Sequence, residues 1–423
     1  MPVDPRPHVV ILGGGFGGLY AAKALRRAPV RVTLIDRRNH HVFQPLLYQV
    51  ATAGLNPADI AAPIRSVLRH QDNTAVILAE ASSIDATAKR VVLSDGEIAY
   101  DYLIVATGAT HSYFGNDGWA PHAPGLKSLE DALEIRRRVF LAYENAERQD
   151  DAERRREWMA FVIIGAGPTG VEMAGALAEI SRQALSSREF RHIDPKSARI
   201  ILVEGTERVL PPYSPDLSAR AKTQLERLGV EVWTSARVTG VDEHGVSLGE
   251  ERITARTVVW AAGVQASPLV RSLGVPLDRA GRVRVAPTLA IPGRSDIFVI
   301  GDLVALEQDG KPVPGVCPSA VQEGRHAARN IGRALKGQPL EPFRYLDKGS
   351  FATIGRGAAV AALPGGIKIW GFLAWVAWMT IHIFFLIGFR NRALVMFQWA
   401  YSYATFRRGA RLITGGRAQG GVA

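Results

Sequence analysis

Two glycine clusters, each followed by an acid, are the residues whose types and spacing speak most directly of chemistry. The first reads Gly13-Gly14-Gly15-Phe16-Gly17-Gly18, a Gly-x-Gly-x-x-Gly pattern, with Asp36 beyond it. The second reads Gly165-Ala166-Gly167-Pro168-Thr169-Gly170, with Glu204 beyond it. In each set the first glycine (Gly13, Gly165) permits a tight turn. The second (Gly15, Gly167) lets a pyrophosphate come against the backbone, and the third (Gly18, Gly170) lets helix and strand pack closely. A helix that starts there offers free N–H groups and the positive end of its dipole to the phosphates. The acid accepts hydrogen bonds from a ribose. Two complete sets in one chain imply two dinucleotides.

The elements that must position these groups lie in the flanks. His8-Val9-Val10-Ile11-Leu12 is an apolar, β-branched run of the kind found in a buried parallel strand. Residues 19–28 have helical composition, and 30–35 form the next strand, closed by Asp36. Phe161-Val162-Ile163-Ile164 and Arg199-Ile200-Ile201-Leu202-Val203 repeat the arrangement around the second cluster. The interval from Gly170 to Glu204 exceeds the usual ~20 residues, and a longer helix with a polar loop at 186–197 is expected to take up the excess. Tyr102-Leu103-Ile104-Val105-Ala106-Thr107-Gly108 and Thr257-Val258-Val259-Trp260-Ala261-Ala262-Gly263 are strands ending in small residues. Their ends place Ala106, Thr107, Gly108, Ala262 and Gly263 where backbone can approach a ligand. Asp296-Ile297-Phe298-Val299-Ile300 closes on Gly301-Asp302, with Gly301 for close approach and Asp302 as a hydrogen-bonding partner of the cofactor.

The expected fold is α/β, with two Rossmann-like dinucleotide-binding domains, the first interrupted by the second. Boundaries are expected at 1–125 and 265–345 for the two parts of the first domain, and 157–264 for the second. The charged stretch 128–158 reads as a solvated connecting helix, with the link itself at 126–156. A C-terminal region spans 346–423. A helix is expected over 60–68, strands over 75–85, 90–93 and 97–100 with a hairpin at Asp95-Gly96, and a second hairpin region over 231–253. Residues 37–52, which include Phe43-Gln44-Pro45-Leu46-Leu47-Tyr48-Gln49-Val50-Ala51, are too apolar for a solvated loop and read as a cover over what the first nucleotide carries.

The 423 residues include a single cysteine, Cys317, which excludes an internal disulfide, a dithiol redox couple and a cysteine-ligated metal site. No metal site is expected. The opening residues lack a charged segment followed by an apolar one, so no cleaved signal peptide is expected. Net charge is +11. From Gly365 onward Lys368, Arg390, Arg392, Arg407, Arg408, Arg411 and Arg417 stand without any Asp or Glu. These cations are interleaved with bulky aliphatic and aromatic residues rather than arranged along a polar groove, which argues against nucleic acid and for a lipid surface. Residues 369–389 are almost wholly apolar and long enough to cross a bilayer. A second aromatic segment, 394–406, follows, and Trp370, Trp375, Trp378 and Trp399 are four of the chain's eight tryptophans. A buried core helix, a spanning helix and an embedded or interface-lying helix pair are the alternatives.

Two dinucleotides held face to face suggest hydride transfer from a nicotinamide to a flavin, with FAD on the first fingerprint and NADH on the second. Glu204 favours NADH, because a carboxylate repels the 2′-phosphate of NADPH. Arg208, close in sequence, is the residue that could offset it. The two fingerprints, the Ala106-Thr107-Gly108 strand end and Ile300-Gly301-Asp302 together resemble the two-dinucleotide-binding flavoproteins. Phe43-Gln44-Pro45-Leu46-Leu47-Tyr48-Gln49-Val50-Ala51, Ala320-Val321-Gln322-Glu323-Gly324 and Tyr345-Leu346-Asp347-Lys348-Gly349-Ser350-Phe351-Ala352-Thr353-Ile354-Gly355-Arg356 narrow the resemblance to the type II NADH:quinone oxidoreductases.

That resemblance implies non-covalent FAD, NADH oxidation, reduction of ubiquinone or menaquinone, and no proton pumping. It adds Gln44, Ala320 and Val321 to the cofactor contacts, and Leu46, Leu47 and Tyr48 to the approach to the flavin ring. It implies two catalytic residues, Glu172 between nicotinamide and quinone and Gln322 at the quinone. Cys317 and Pro318 stand where the family's quinone motif has Ala and Gln. Taken alone, Glu172 is a first-turn carboxylate favoured by the helix dipole. The resemblance also implies attachment through the embedded or interface-lying C-terminal helices to the cytoplasmic face of the inner (plasma) membrane. A homodimer is the default assembly. Disulfide reductases and sulfide:quinone oxidoreductases need cysteine pairs, which this chain lacks. A ferredoxin-type reductase has no use for the apolar tail, and a flavoprotein that binds NADH as a sensor is the non-enzyme alternative.

Overall fold

The computed structural model describes residues 4–185, 188–387, 389–405 and 408–414. Of the positions singled out above, Ser186, Ser187, Gly388, Phe406, Arg407 and Arg417 lie outside them. The chain divides into two compact units. One comprises Met1–Val42, Ala61–Thr110 and Val264–Lys348; the other comprises Phe43–Ile60, His111–Gly263 and Gly349–Ala423.

The first unit is built on a five-stranded parallel sheet ordered Ile297–Val299, Tyr102–Val105, His8–Leu12, Arg31–Asp36, Thr74–Leu78. His8–Leu12 lies between Arg31–Asp36 and the later Tyr102–Val105, so the strand order reverses there, and ligands bind at the C-terminal end of such a switch point. All five residues of that strand are buried, as its unbroken apolar run requires. The Phe16–Ala24 helix packs against the Cys317–Ala334 helix at a glycine crossing. A Cβ on Gly324 would collide with the Gly17 carbonyl oxygen, so the two backbones meet directly.

The second unit repeats this plan with four parallel strands ordered Val230–Trp233, Arg199–Val203, Ala160–Ile164, Thr257–Trp260. It also carries an antiparallel sheet of Ser350–Gly355, Ala358–Ala362 and Lys368–Trp370. The Pro168–Glu179 helix lies against that sheet so closely that a Cβ on Gly175 would strike the Ile354 carbonyl oxygen.

Several expectations are corrected. The 128–158 stretch is two helices, Leu129–Glu147 and Ala152–Trp158, and the first is no solvated connector. Most of its charges occupy one face, while Ile135, Val139, Phe140 and Tyr143 on the other are buried, with Arg136 among them. Ser128 and Asp131 form a capping box that starts it. Residues 60–68 are not one helix: Ala61–Pro63 is a strand before the Ile64–Leu68 helix. The first part of the expected second hairpin, Val230–Trp233, joins the parallel sheet instead. Residues 43–60 group with the second unit rather than the first.

Among the described residues no helix is long and apolar enough to cross a membrane. Lys368 and Ile369 pair in the antiparallel sheet, and the helix that follows, Gly371–Phe385, has 15 residues. At ~1.5 Å per residue it reaches roughly 22 Å, short of the ~30 Å hydrocarbon layer. It ends where Leu386 turns extended, with the Leu386 carbonyl accepting from Arg392 at 2.7 Å. The Phe389–Thr405 helix then follows.

Candidate functional site

The first glycine turn sits at the C-terminal end of the central strand of its sheet. Gly13 has φ +101, and a Cβ there would strike the Ala106 carbonyl; a Cβ on Gly18 would strike the Gly13 carbonyl. Gly15 caps the Phe16–Ala24 helix without a side-chain hydrogen bond, and a Cβ there would meet only open space. The helix end is therefore bare and approachable. Asp36 accepts from the Gly14 amide at 2.6 Å and from the Arg38 amide at 2.7 Å. The Thr107 hydroxyl is buried and has no hydrogen-bond partner among the described residues. Gly301, with φ +76, closes the same region, 3.6 Å from the Ala320 side chain when given a Cβ. Bare amides, a backbone cradle, an oriented acid and an orphaned hydroxyl fit a dinucleotide such as FAD. Val321 is half-buried on the Cys317–Ala334 helix, and Asp302 opens the turn after Gly301. Gln44, in the Gln44–Leu46 turn of the other unit, is exposed.

The second turn follows the plan of the first. Gly165 has φ +99 and meets Ala262 backbone; Gly170 meets the Gly165 carbonyl; Gly167 caps the Pro168–Glu179 helix and faces open space. Glu204 accepts from the Ala166 amide at 2.7 Å and the Thr206 amide at 2.8 Å. Gly263 and Ala262 end the neighbouring strand. Arg208, the residue able to accept a 2′-phosphate, instead donates to the Pro211 carbonyl at 3.2 Å.

A polar cleft lies within the second unit. Glu172, Ala176, Glu179 and Gln183 line one wall at helical spacing, the last on a π-helical turn over Ile180–Ala184. Tyr48, Gln49, Thr353, Arg356, Trp399 and Arg408 complete it. Burial pushes the Glu172 carboxyl up to about 8, with the Thr353 backbone amide pulling the other way. Glu179 accepts from the Arg356 amide and, at 2.8 Å, from the Arg408 guanidinium, which also donates to the Thr52 carbonyl at 2.7 Å. Arg356 reaches the Ser402 carbonyl at 2.6 Å, and the Trp399 indole donates to Gln49 at 2.7 Å. Sequence reasoning named Glu172 but missed Glu179, two helical turns further on, and the two arginines that hold it. Tyr48 lines the cleft, whereas Leu46 and Leu47 are buried core.

Gln322 makes a two-point clamp on the Leu346 backbone, donating to its carbonyl at 3.0 Å and accepting from its amide at 2.9 Å. Its neighbour Glu323 is buried; it accepts from the Gly301 amide at 2.5 Å and from Ser319 at 2.6 Å. Burial pushes the Glu323 carboxyl up to about 7 against those two hydrogen bonds, with Asp302 adding a like charge. No cluster of metal-ligating side chains occurs among the described residues.

Among the described residues, three of the tail's cations pair with carboxylates. Lys368 pairs with Asp216 at 2.7 Å, Arg408 with Glu179, and Arg411 with Glu189 at 2.8 Å. His382 stacks on Trp378 with centroids 4.4 Å apart, and Trp378 stacks on Trp399 at 5.5 Å.

Residues 7–324 match the family model for pyridine nucleotide-disulphide oxidoreductases, and 348–408 match the NDH2 C-terminal domain. The type II NADH:quinone oxidoreductase Ndh of Mycobacterium tuberculosis is 47% identical, with 97% of this chain and 91% of that protein covered. The Staphylococcus haemolyticus type II NADH:quinone oxidoreductase is 31% identical, covering 85% and 90%. In fold, the chain is similar to NDH2 from Plasmodium falciparum in complex with NADH, with TM-score 0.86, 20% identity, and 97% and 100% coverage. The sulfide:quinone oxidoreductase of Aquifex aeolicus has the same fold at TM-score 0.73 and 22% identity, covering 92% of each chain.

Proposed function

The chain belongs to the type II NADH:quinone oxidoreductase family, and we propose how its residues divide that reaction. It is an FAD-dependent enzyme that oxidises NADH and reduces a quinone. The flavin, when bound, supplies the two-electron chemistry between the two substrates. The 13–18 turn, Asp36, Ala106, Thr107, Gly108, Gly301, Asp302, Ala320 and Val321 hold it, and Gln44 is the further contact the family resemblance assigns to it. The 165–170 turn, Glu204, Ala262 and Gly263 hold NADH. Arg208 is turned to a backbone carbonyl, which favours NADH over NADPH at the second site.

Glu172 holds a proton at neutral pH and releases it toward the quinone as the quinol forms. Gln322 shapes the quinone approach through Leu346. The exposed rings of Phe372, Phe384 and Phe397, with Leu373 and Leu412, attach the enzyme to lipid. Two short helices lying in the interface suit them. A homodimer on the cytoplasmic face of the inner (plasma) membrane completes the reading.

The observation that carries this assignment of roles is the doubling of the glycine turn, each with its acid tied to the turn's second amide. The deciding experiment is NADH oxidation by detergent-purified protein with ubiquinone and menaquinone analogues. Flavin that NADH bleaches and neither quinone reoxidises would favour a sensor or a reductase of soluble acceptors.

A further inference from the structure

His41 lies in a three-residue strand, His40–Val42, that pairs antiparallel with Ala61–Pro63 and sets His41 opposite Ala62. Its side chain is buried, 1% exposed. Nδ1 stands 3.0 Å from the Gly14 carbonyl oxygen. The Phe16 ring meets the imidazole edge to face, with centroids 4.8 Å apart at 84°. A carbonyl oxygen only accepts, so Nδ1 carries the proton in that contact. Burial, with Lys23 and His40 nearby, lowers the ring's pKa to about 4 against the Gly14 hydrogen bond, which keeps it neutral. The other nitrogen, Nε2, is therefore a bare lone pair.

That lone pair is buried and meets no donor among the described residues. An unsatisfied buried acceptor costs ~1–3 kcal/mol. A phenylalanine would fill the same space against Phe16 without that penalty. The same Gly14 donates its amide to Asp36 at 2.6 Å. One residue of the flavin turn is thus gripped at its N–H by the ribose-binding acid and at its C=O by His41.

We propose that His41 is a recognition residue for FAD, its Nε2 accepting a hydrogen bond from a hydroxyl or amine of the cofactor's adenosine half. A pyrophosphate without protons offers no donor, so a neutral imidazole selects the ribose or adenine instead. Asp36 and His41 act on the same turn residue, which places both at the adenosine end. The proposal rests on FAD occupying the 13–18 turn.

The test compares holoenzymes. H41N keeps an N–H donor near the Nδ1 position and deletes Nε2, while H41F deletes both. Each is diluted and FAD release is followed by flavin fluorescence, with thermal unfolding as a check on folding. H41N is expected to release FAD about tenfold faster than wild type, as loss of one ~1.4 kcal/mol contact dictates, and H41F at least as fast. In wild-type holoenzyme bearing 15N-histidine, the His41 Nε2 resonance is expected at a hydrogen-bonded rather than a free pyridine-type position. A free-type resonance would overturn the proposal. So would wild-type release from H41N, the outcome if a water rather than FAD met Nε2. Failure of the underlying assignment shows differently: wild-type protein would purify without flavin absorbance and take up none.

Discussion

Glu204 and Ala166 are joined by a 2.7 Å hydrogen bond from backbone amide to carboxylate, and the Thr206 amide engages the other oxygen at 2.8 Å. The carboxylate is thereby aimed, and its remaining lone pairs stay open for ribose hydroxyls. E204Q puts an NH2 against one of two amide donors and removes the charge that repels a 2′-phosphate. Hydrogen bonds to charged groups are worth ~1.5–3 kcal/mol, so the KM for NADH rises about tenfold or more. The preference for NADH over NADPH falls with it. Steady-state kinetics with both coenzymes check this; an unchanged ratio would return the specificity question to Arg208.

Glu172 gives a prediction in pH. Burial raises its carboxyl from the ordinary 4.5 to about 8, so the folded protein keeps a proton there that the unfolded chain loses. The stability held by the protonated form is fully present below about 4.5 and is lost as pH rises toward 8. E172Q, which cannot ionise, should gain Tm relative to wild type between those limits and hold a constant advantage above them. The rate of quinone reduction in wild type should fall above pH 8 as the proton is lost, and that fall should be absent in E172Q. Parallel Tm and rate profiles for the two proteins would remove Glu172 from proton delivery.

Gln322 acts through Leu346, whose amide and carbonyl it holds at 2.9 and 3.0 Å. Q322L has an apolar side chain one atom shorter that makes no hydrogen bonds. It should raise the quinone KM while leaving bleaching of the flavin by NADH at its wild-type rate in stopped flow. Identical quinone kinetics would show that the clamp serves the fold alone.

What the sequence made legible follows from how local each signal is. Both glycine turns were readable because their constraints fall within a few residues: a positive φ at Gly13, an empty Cβ position at Gly15, a backbone crossing at Gly18. Glu179 was not, because nothing near it in the chain shows that Arg356 and Arg408 converge on it. The Leu129–Glu147 helix was misread because its charge density hid a buried face that shows only at helical spacing. The pairing of Lys368, Arg408 and Arg411 was not legible either, because Asp216, Glu179 and Glu189 lie far back in the sequence.

The Arg408–Glu179 pair fastens the segment after the last helix to the Pro168–Glu179 helix. Its side chains are only 10% and 16% exposed. Removing one partner of such a buried pair costs ~3 kcal/mol or more, because the other charge is left behind. R408M should therefore lower Tm and expose the Phe389–Thr405 helix to limited proteolysis. The double variant R408M/E179Q should lose less than the sum of the two single changes. Additive losses would mean that the two residues do not act as a pair.

Membrane attachment yields the last prediction, and it concerns salt. Lys368, Arg408 and Arg411 are each within 2.8 Å of a carboxylate, and those charges are not available to anionic headgroups. Phe372, Phe384 and Phe397 are each more than 60% exposed, and burying such a ring in lipid is worth ~1.5–3 kcal/mol. Attachment should thus be driven by apolar burial. Co-flotation with neutral phosphatidylcholine vesicles should survive a rise from low to high salt, where screening shortens the Debye length to ~3 Å at 1 M. F384S/F397S should weaken it by tenfold or more while flavin bleaching by NADH persists. Binding that required anionic lipid and vanished at high salt would mean that basic side chains, rather than the phenylalanines, hold the enzyme to the membrane.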